Sequence, residues 1–169
     1  MPRGLKETSS TIGIGFGIAE GAANTFAQAT IDLNLDPLNQ EVFVVQSINL
    51  DPTPPDSLPG VDTETGASLT TTSQTGLATL SVANCLATSR LDVRSTAPGD
   101  SVGFTRASTE APSTQLEYLG IISTNNFFVQ VKGTGNLVAK SVTGKVYGYR
   151  ARADATIYSA LVSSEVLSA

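Results

Sequence analysis

The segment Thr11-Ile12-Gly13-Ile14-Gly15-Phe16-Gly17-Ile18 alternates strictly between an apolar side chain and none. A period of two places Ile12, Ile14, Phe16 and Ile18 on one face of an extended chain and the glycines on the other. The same residues resist a helix, where each Gly costs about 1 kcal/mol against Ala and each Ile loses side-chain freedom. The spacing is not that of a dinucleotide-binding GxGxxG, because no strand precedes it and no helix start follows. A face of bare glycine lets another backbone approach closely. Residues 1–24 are therefore expected to form an extended N-terminal arm that docks outside its own domain, with Ile12, Ile14 and Phe16 as contact residues; an ordinary edge strand is the alternative.

The rest of the chain keeps the same period. Phe26 to Leu35 alternates, and Asp36-Pro37-Leu38-Asn39 reads as a turn. Val42 to Leu50 puts Val42, Val44, Ile48 and Leu50 on one face and Phe43 and Val45 on the other. Four prolines between Asp51 and Gly60 remove donors and fix the backbone, so that stretch is a long loop. Further strands are expected near Ala67–Thr72, Leu77–Ala83, Arg90–Ser95, Val102–Thr105, Gln115–Ile122, Phe127–Val131 and Lys140–Ala151. Asp154 to Ser168 alone reads as helical, with Asp154 as N-cap and Ile157, Ala160, Leu161, Ser164 and Leu167 sharing one face. No repeat or linker divides the chain. The pattern predicts an all-β fold: an antiparallel β-sandwich, jelly-roll-like, over residues 25–169, with one short C-terminal helix.

Composition narrows the chemistry. The 169 residues include no His and one Cys, which excludes a Ser-His-Asp triad, a Cys-His pair, His-ligated metals and any intrachain disulfide. Cys85 sits in an apolar context and reads as a buried thiol. Ser and Thr supply 39 residues, and charged residues only 15%. Hydroxyls are easier than charges to desolvate, which suits a surface that meets other subunits. Asp51, Asp56, Asp62 and Glu64 crowd one loop, yet their spacing matches no EF-hand, so no metal is expected. No cofactor is expected either. With no Trp and four Tyr, the aromatic platforms of a sugar-cleaving cleft are scarce, and the chain is not expected to be an enzyme.

Tyr147-Gly148-Tyr149-Arg150-Ala151-Arg152 is the most distinctive stretch. On a strand Tyr147 and Tyr149 share one face, and Arg150 and Arg152 share the other. Tyr and Arg are enriched where interfaces concentrate their binding energy, so these four residues are expected at a contact with another chain. The alternative is a strand end held by an intramolecular salt bridge. Charge is also uneven. Nine acids and no Lys or Arg lie between Glu7 and Ser89, whereas Arg90 onward carries eight bases and six acids. The asymmetry reads either as opposed patches favouring head-to-tail contacts or as halves that fold against each other. Without a basic arm, strong direct nucleic-acid binding is not expected. Between Glu7 and Glu20 runs a segment in which every second residue is Gly, which weakens a helix, so no signal peptide is expected, and no stretch is long and apolar enough to span a membrane.

Asn125-Asn126-Phe127-Phe128-Val129-Gln130-Val131-Lys132-Gly133-Thr134-Gly135-Asn136, with Lys145-Val146-Tyr147-Gly148-Tyr149-Arg150-Ala151, resembles the C-terminal strands of small β-sandwich virion proteins from aquatic and bacterial viruses. That resemblance implies a self-associating subunit of an icosahedral capsid, as major coat or as cement (decoration) protein. It further implies assembly in the host cytoplasm, with other copies and other capsid proteins as partners. The sequence departs from many genome-enclosing coats in offering only Arg3 and Lys6 at its N-terminus. A carbohydrate-binding or adhesin-type sandwich module is the alternative.

Overall fold

The Gly-alternating segment is a strand of the chain's own sheet. The computed structural model describes residues 2–107 and 116–168. Within them lie ten strands, a single 3-10 turn at Pro37–Asn39 and one α-helix: β1 Leu5–Glu7, β2 Ile12–Ala19, β3 Ala27–Asp32, β4 Glu41–Pro52, β5 Thr63–Thr70, β6 Cys85–Ala97, β7 Asp100–Ala107, β8 Gly120–Ile122, β9 Asn126–Thr134, β10 Ser141–Ala153 and α1 Ala155–Leu167. One sheet runs β2-β10-β4-β8, with β1 continuing beside the far end of β10; the other runs β3-β9-β5-β6-β7. All pairs are antiparallel.

The pairing is nested. β2 lies on β10, β3 on β9, β4 on β8 and β5 on β6, first with last and inward to the central hairpin. A long antiparallel hairpin rolled over itself gives this order, and it is the wiring of a jelly roll. β7 extends the second sheet beyond it.

The core between the sheets holds Phe43, Val45, Ile48, Leu69, Ile122, Phe127, Val129, Val131, Val142 and Val146, all at 0–1% exposure. Ile12, Ile14, Phe16 and Ile18 pack against it from the edge. The rings of Phe16 and Phe127 meet edge to face at 5.9 Å and bridge the two sheets. A second cluster, Leu5, Val42, Val44, Tyr149, Ala151 and Ala153, lies on the outer face of the first sheet under Ile157, Tyr158 and Leu161 of α1.

Three expectations change here. Val42 and Val44 do not share a face with Ile48 and Leu50. The β4–β10 register steps from Tyr147↔Ser47 to Gly148↔Val45, leaving Gln46 as an extra residue. This bulge inverts the alternation, so Phe43 and Val45 line the core with Ile48, and Val42 and Val44 face the helix. Leu77–Ala83 is not a strand but a turn-rich cover on the outer face of the second sheet. There Ala78 N–H donates to Ser68 Oγ at 3.2 Å, and Leu77 fills the space above Gly66. Of the expected strand Gln115–Ile122, only Gly120–Ile122 is one, and Gln115 lies outside the described residues.

The helix follows its signals. Asp154 Oδ1 accepts from Ile157 N–H at 2.9 Å, as an N-cap should. Its packed stripe is Ile157, Tyr158 and Leu161, each half-buried, with Glu165 buried; of the expected face Ala160, Ser164 and Leu167 are exposed, Leu167 at 84%. Among the described residues no helix is long and apolar enough to cross a membrane.

Candidate functional site

β10 is the strand on which the first sheet turns, flanked by β4 on one side and by β1 and β2 on the other. It brings together the residues expected at a subunit contact, and it gives two of them work inside the fold. Tyr149 is 6% exposed beneath α1, and its hydroxyl is harder to ionise than usual because of burial and then the charges of Glu7 and Glu117. Arg150 points to the inner side at the end of the sandwich. It donates to Leu33 O at 2.7 Å, to Asn34 O at 2.9 Å and to Glu41 Oε2 at 3.1 Å. The intramolecular salt bridge is thus the one formed. It ties the segment after β3 to the start of β4.

Arg152 and Tyr147 are more open. Arg152 is exposed and helps line a shallow polar recess of about 280 Å³ with Thr8, Asp36, Asn39 and Glu41. Tyr147 is half-buried and leans across Gly13 of β2, where a Cβ would lie 3.2 Å from its ring. Ile12, Ile14 and Phe16 turn toward their own core. The arm expected to dock outside the domain is instead an integral strand, because its apolar face finds the chain's own sandwich to cover.

The loop carboxylates do not converge. Asp56 takes Lys140 Nζ at 2.6 Å and the N–H groups of Leu137 and Val138; these hold its pKa below the usual range, with Lys140 the largest cause. Asp62 accepts from Ser95 N–H and Arg94, which lower its pKa in that order of weight. Glu64 faces Asp92 across the β5–β6 ladder, with Arg90 at 2.9 Å and Arg106 at 3.6 Å. Burial, then the hydrogen bond and charge of Asp92, push the Glu64 carboxyl up, against the pull of Arg90. Asp51 is exposed on β4 opposite Thr143. Among the described residues no three potential metal ligands come together.

Two buried carboxylates were invisible to local reading. Glu20 accepts from Gly133 N–H at 2.5 Å and Lys140 N–H at 2.7 Å, closing the β9–β10 turn onto the end of β2. Glu165 of α1 accepts from the N–H groups of Ser123 and Thr124 and from both hydroxyls, pinning the helix to the β8–β9 turn. Cys85 is half-buried, and burial raises its thiol pKa.

What remains open is an edge. Among the described residues β2 has β10 on one side and no strand on the other. Its eight residues, Ile12–Ala19, carry no charge and no proline. Natural proteins usually blunt such an edge with a charge, a proline, a bulge or a short strand. Comparison with protein-family models gave no match, and comparison with curated proteins gave none.

Proposed function

We propose that the chain is a structural virion protein, a self-associating subunit of an icosahedral shell that acts as major coat or decoration protein. The observation that carries this reading is the nested first-with-last pairing of eight strands, a wiring that recurs in viral shell proteins. Because one fold hosts many functions, the surface must support the same reading. It does so in two ways. The space between the sheets is filled by Phe43, Phe127, Ile48, Leu69 and Ile122, leaving packing where a ligand barrel would keep a cavity. Glu20, Glu41, Asp56, Glu64 and Glu165 are held by cations or backbone amides of the same chain.

As a shell subunit the protein meets other copies and other capsid proteins, resides in the virion after assembly in the host cytoplasm, and uses no cofactor. Its net charge of −5 opposes tight binding to nucleic acid. Sedimentation with negative-stain microscopy tests the reading. Concentration-dependent growth into rings or closed particles is expected. A monodisperse monomer at the highest soluble concentration would overturn it.

A further inference from the structure

We infer that the free edge of β2 is a pairing surface for a second copy of this chain, joining two sandwiches about a two-fold axis at Gly15. The inference rests on the self-association proposed above and names its contact.

Hydrogen-bond parity shows which groups face outward. Antiparallel ladder bonds recur on every second residue. Glu20 N–H donates to Lys140 O at 2.8 Å, in line with the register Ile18↔Val142, Phe16↔Gly144, Ile14↔Val146 and Ile12↔Gly148. The even residues therefore bond to β10. Gly13, Gly15, Gly17 and Ala19 direct their N–H and C=O groups at the open edge, and all four are exposed.

The other edges of the two sheets are protected. β8 has three residues, β1 carries Lys6 and Glu7, and β7 carries Asp100 and Arg106. On β3, Gln28 bonds to Ser73 and Gln74 of the covering segment, and Asp32 adds a charge. Only β2 joins length to neutrality among these edges. It is also self-complementary. With Gly15 opposite Gly15 of the second copy, all of Thr11–Ala19 overlaps, and the outward-facing groups of Gly13 meet those of Gly17. Ile12 then lies beside Ile18, and Ile14 beside Phe16, so the half-buried apolar row of each copy covers the other. The bare glycine faces put no side chain in the way.

Cysteine crosslinking on a Cys85→Ser background reads this register. Directly opposed residues have Cα atoms about 5.5 Å apart, inside the disulfide range of about 4.4–6.8 Å. Gly15→Cys should give a covalent dimer on mild oxidation. Gly13→Cys should not, because the two position-13 residues would lie four residues, about 13 Å, apart. Gly15→Lys sets like charges opposite each other and should abolish the dimer in sedimentation. Gly15→Ala should retain it, since the nearest atoms to an added Cβ are 4.0 Å away. Equal crosslinking at positions 13 and 15, or undiminished association of Gly15→Lys, overturns the inference. If the parent grows into shells that Gly15→Lys leaves intact, the shell reading stands and this edge does not. A parent that stops at a β2-linked dimer supports the edge and overturns the shell. A parent that stays monomeric overturns both.

Discussion

Gly148→Ala tests how tightly the first sheet is closed over its aromatic side chains. Gly148 lies on the inner face of β10, opposite Val45 beside the Gln46 bulge. A Cβ there would meet the Val44 carbonyl oxygen of the neighbouring strand and come within 2.7 and 2.9 Å of the Phe43 ring. Neither can yield cheaply: the carbonyl belongs to the sheet, and Phe43 is 1% exposed in the core. Overpacking of this kind costs about 1–3 kcal/mol. Ala is intrinsically better than Gly in a strand interior by about 0.5–1 kcal/mol, which offsets part of it. With backbone as the obstacle the upper end applies, so a net loss of about 2 kcal/mol is expected. At about 2–4 °C per kcal/mol for a domain of this size, the melting temperature should fall by about 4–8 °C. Gly15→Ala, at an open position on β2, should be neutral or slightly stabilising under dilute conditions. Urea unfolding followed by far-UV circular dichroism compares the two variants. Equal midpoints would refute the claim that the Phe43 ring and the β4 backbone occupy the space above Gly148.

Arg150→Ala should destabilise the monomer by about 1.5–3 kcal/mol, the range for hydrogen bonds to a charged group, whereas Arg152→Ala should stay within about 0.5 kcal/mol; denaturant titration separates them. Glu165→Ala leaves the Ser123 and Thr124 amides without their acceptor and should cost about 1–3 kcal/mol, with hydrogen exchange quickened in α1 ahead of the sheets. Asp36, Asp56 and Asp62 have pKa values lowered in the fold, so their contribution is full above the unfolded value of about 3.9 and is lost as pH falls through the folded values. Asp56→Asn should shrink that acid-dependent drop in thermal melts. Glu64 has the opposite sign: its raised pKa penalises the fold above that value and the penalty lifts on acidification, so Glu64→Gln should raise the melting temperature at pH 7 and lose its advantage near pH 4.

The readable parts of the chain were those whose signal is local. Ile12–Ile18 declares a strand because side chains and glycines alternate, and Asp154 declares a helix start because its carboxylate reaches Ile157 N–H three residues on. The Gln46 bulge carries no comparable mark: Val42 to Leu50 is apolar on both faces, and only the register against β10 shows where the alternation inverts. Leu77–Ala83 has strand composition, yet Ser68 and Gly66 recruit Ala78 and Leu77 as cover. Glu20 and Glu165 carry no local mark of burial because their partners lie 113 and 42 residues away, beyond any window of sequence. For Arg150 the residue type favours an interface and equally allows an intrachain salt bridge; only the fold shows its partners, two carbonyls and Glu41 of the same chain.

The uneven charge of the two halves follows from the wiring. Nested pairing lays the first half of the chain against the second, so an acid early in the sequence commonly faces a residue late in it. Glu41–Arg150, Asp56–Lys140, Asp62–Arg94 and Glu64–Arg90 each join an acid before Ser89 to a base after it. The opposition is therefore met within one chain, and of the two readings of the asymmetry it is the halves folding together that the structure supports. Head-to-tail contact between copies needs opposed patches, and these four pairs draw on charges of both signs within one chain. The β2 edge, by contrast, carries no charge. A neutral edge whose sequence matches itself in antiparallel register favours an isologous, two-fold contact over a heterologous one. For a shell, this assigns β2 to a two-fold axis and requires the remaining symmetry contacts to come from other surfaces of the same sandwich.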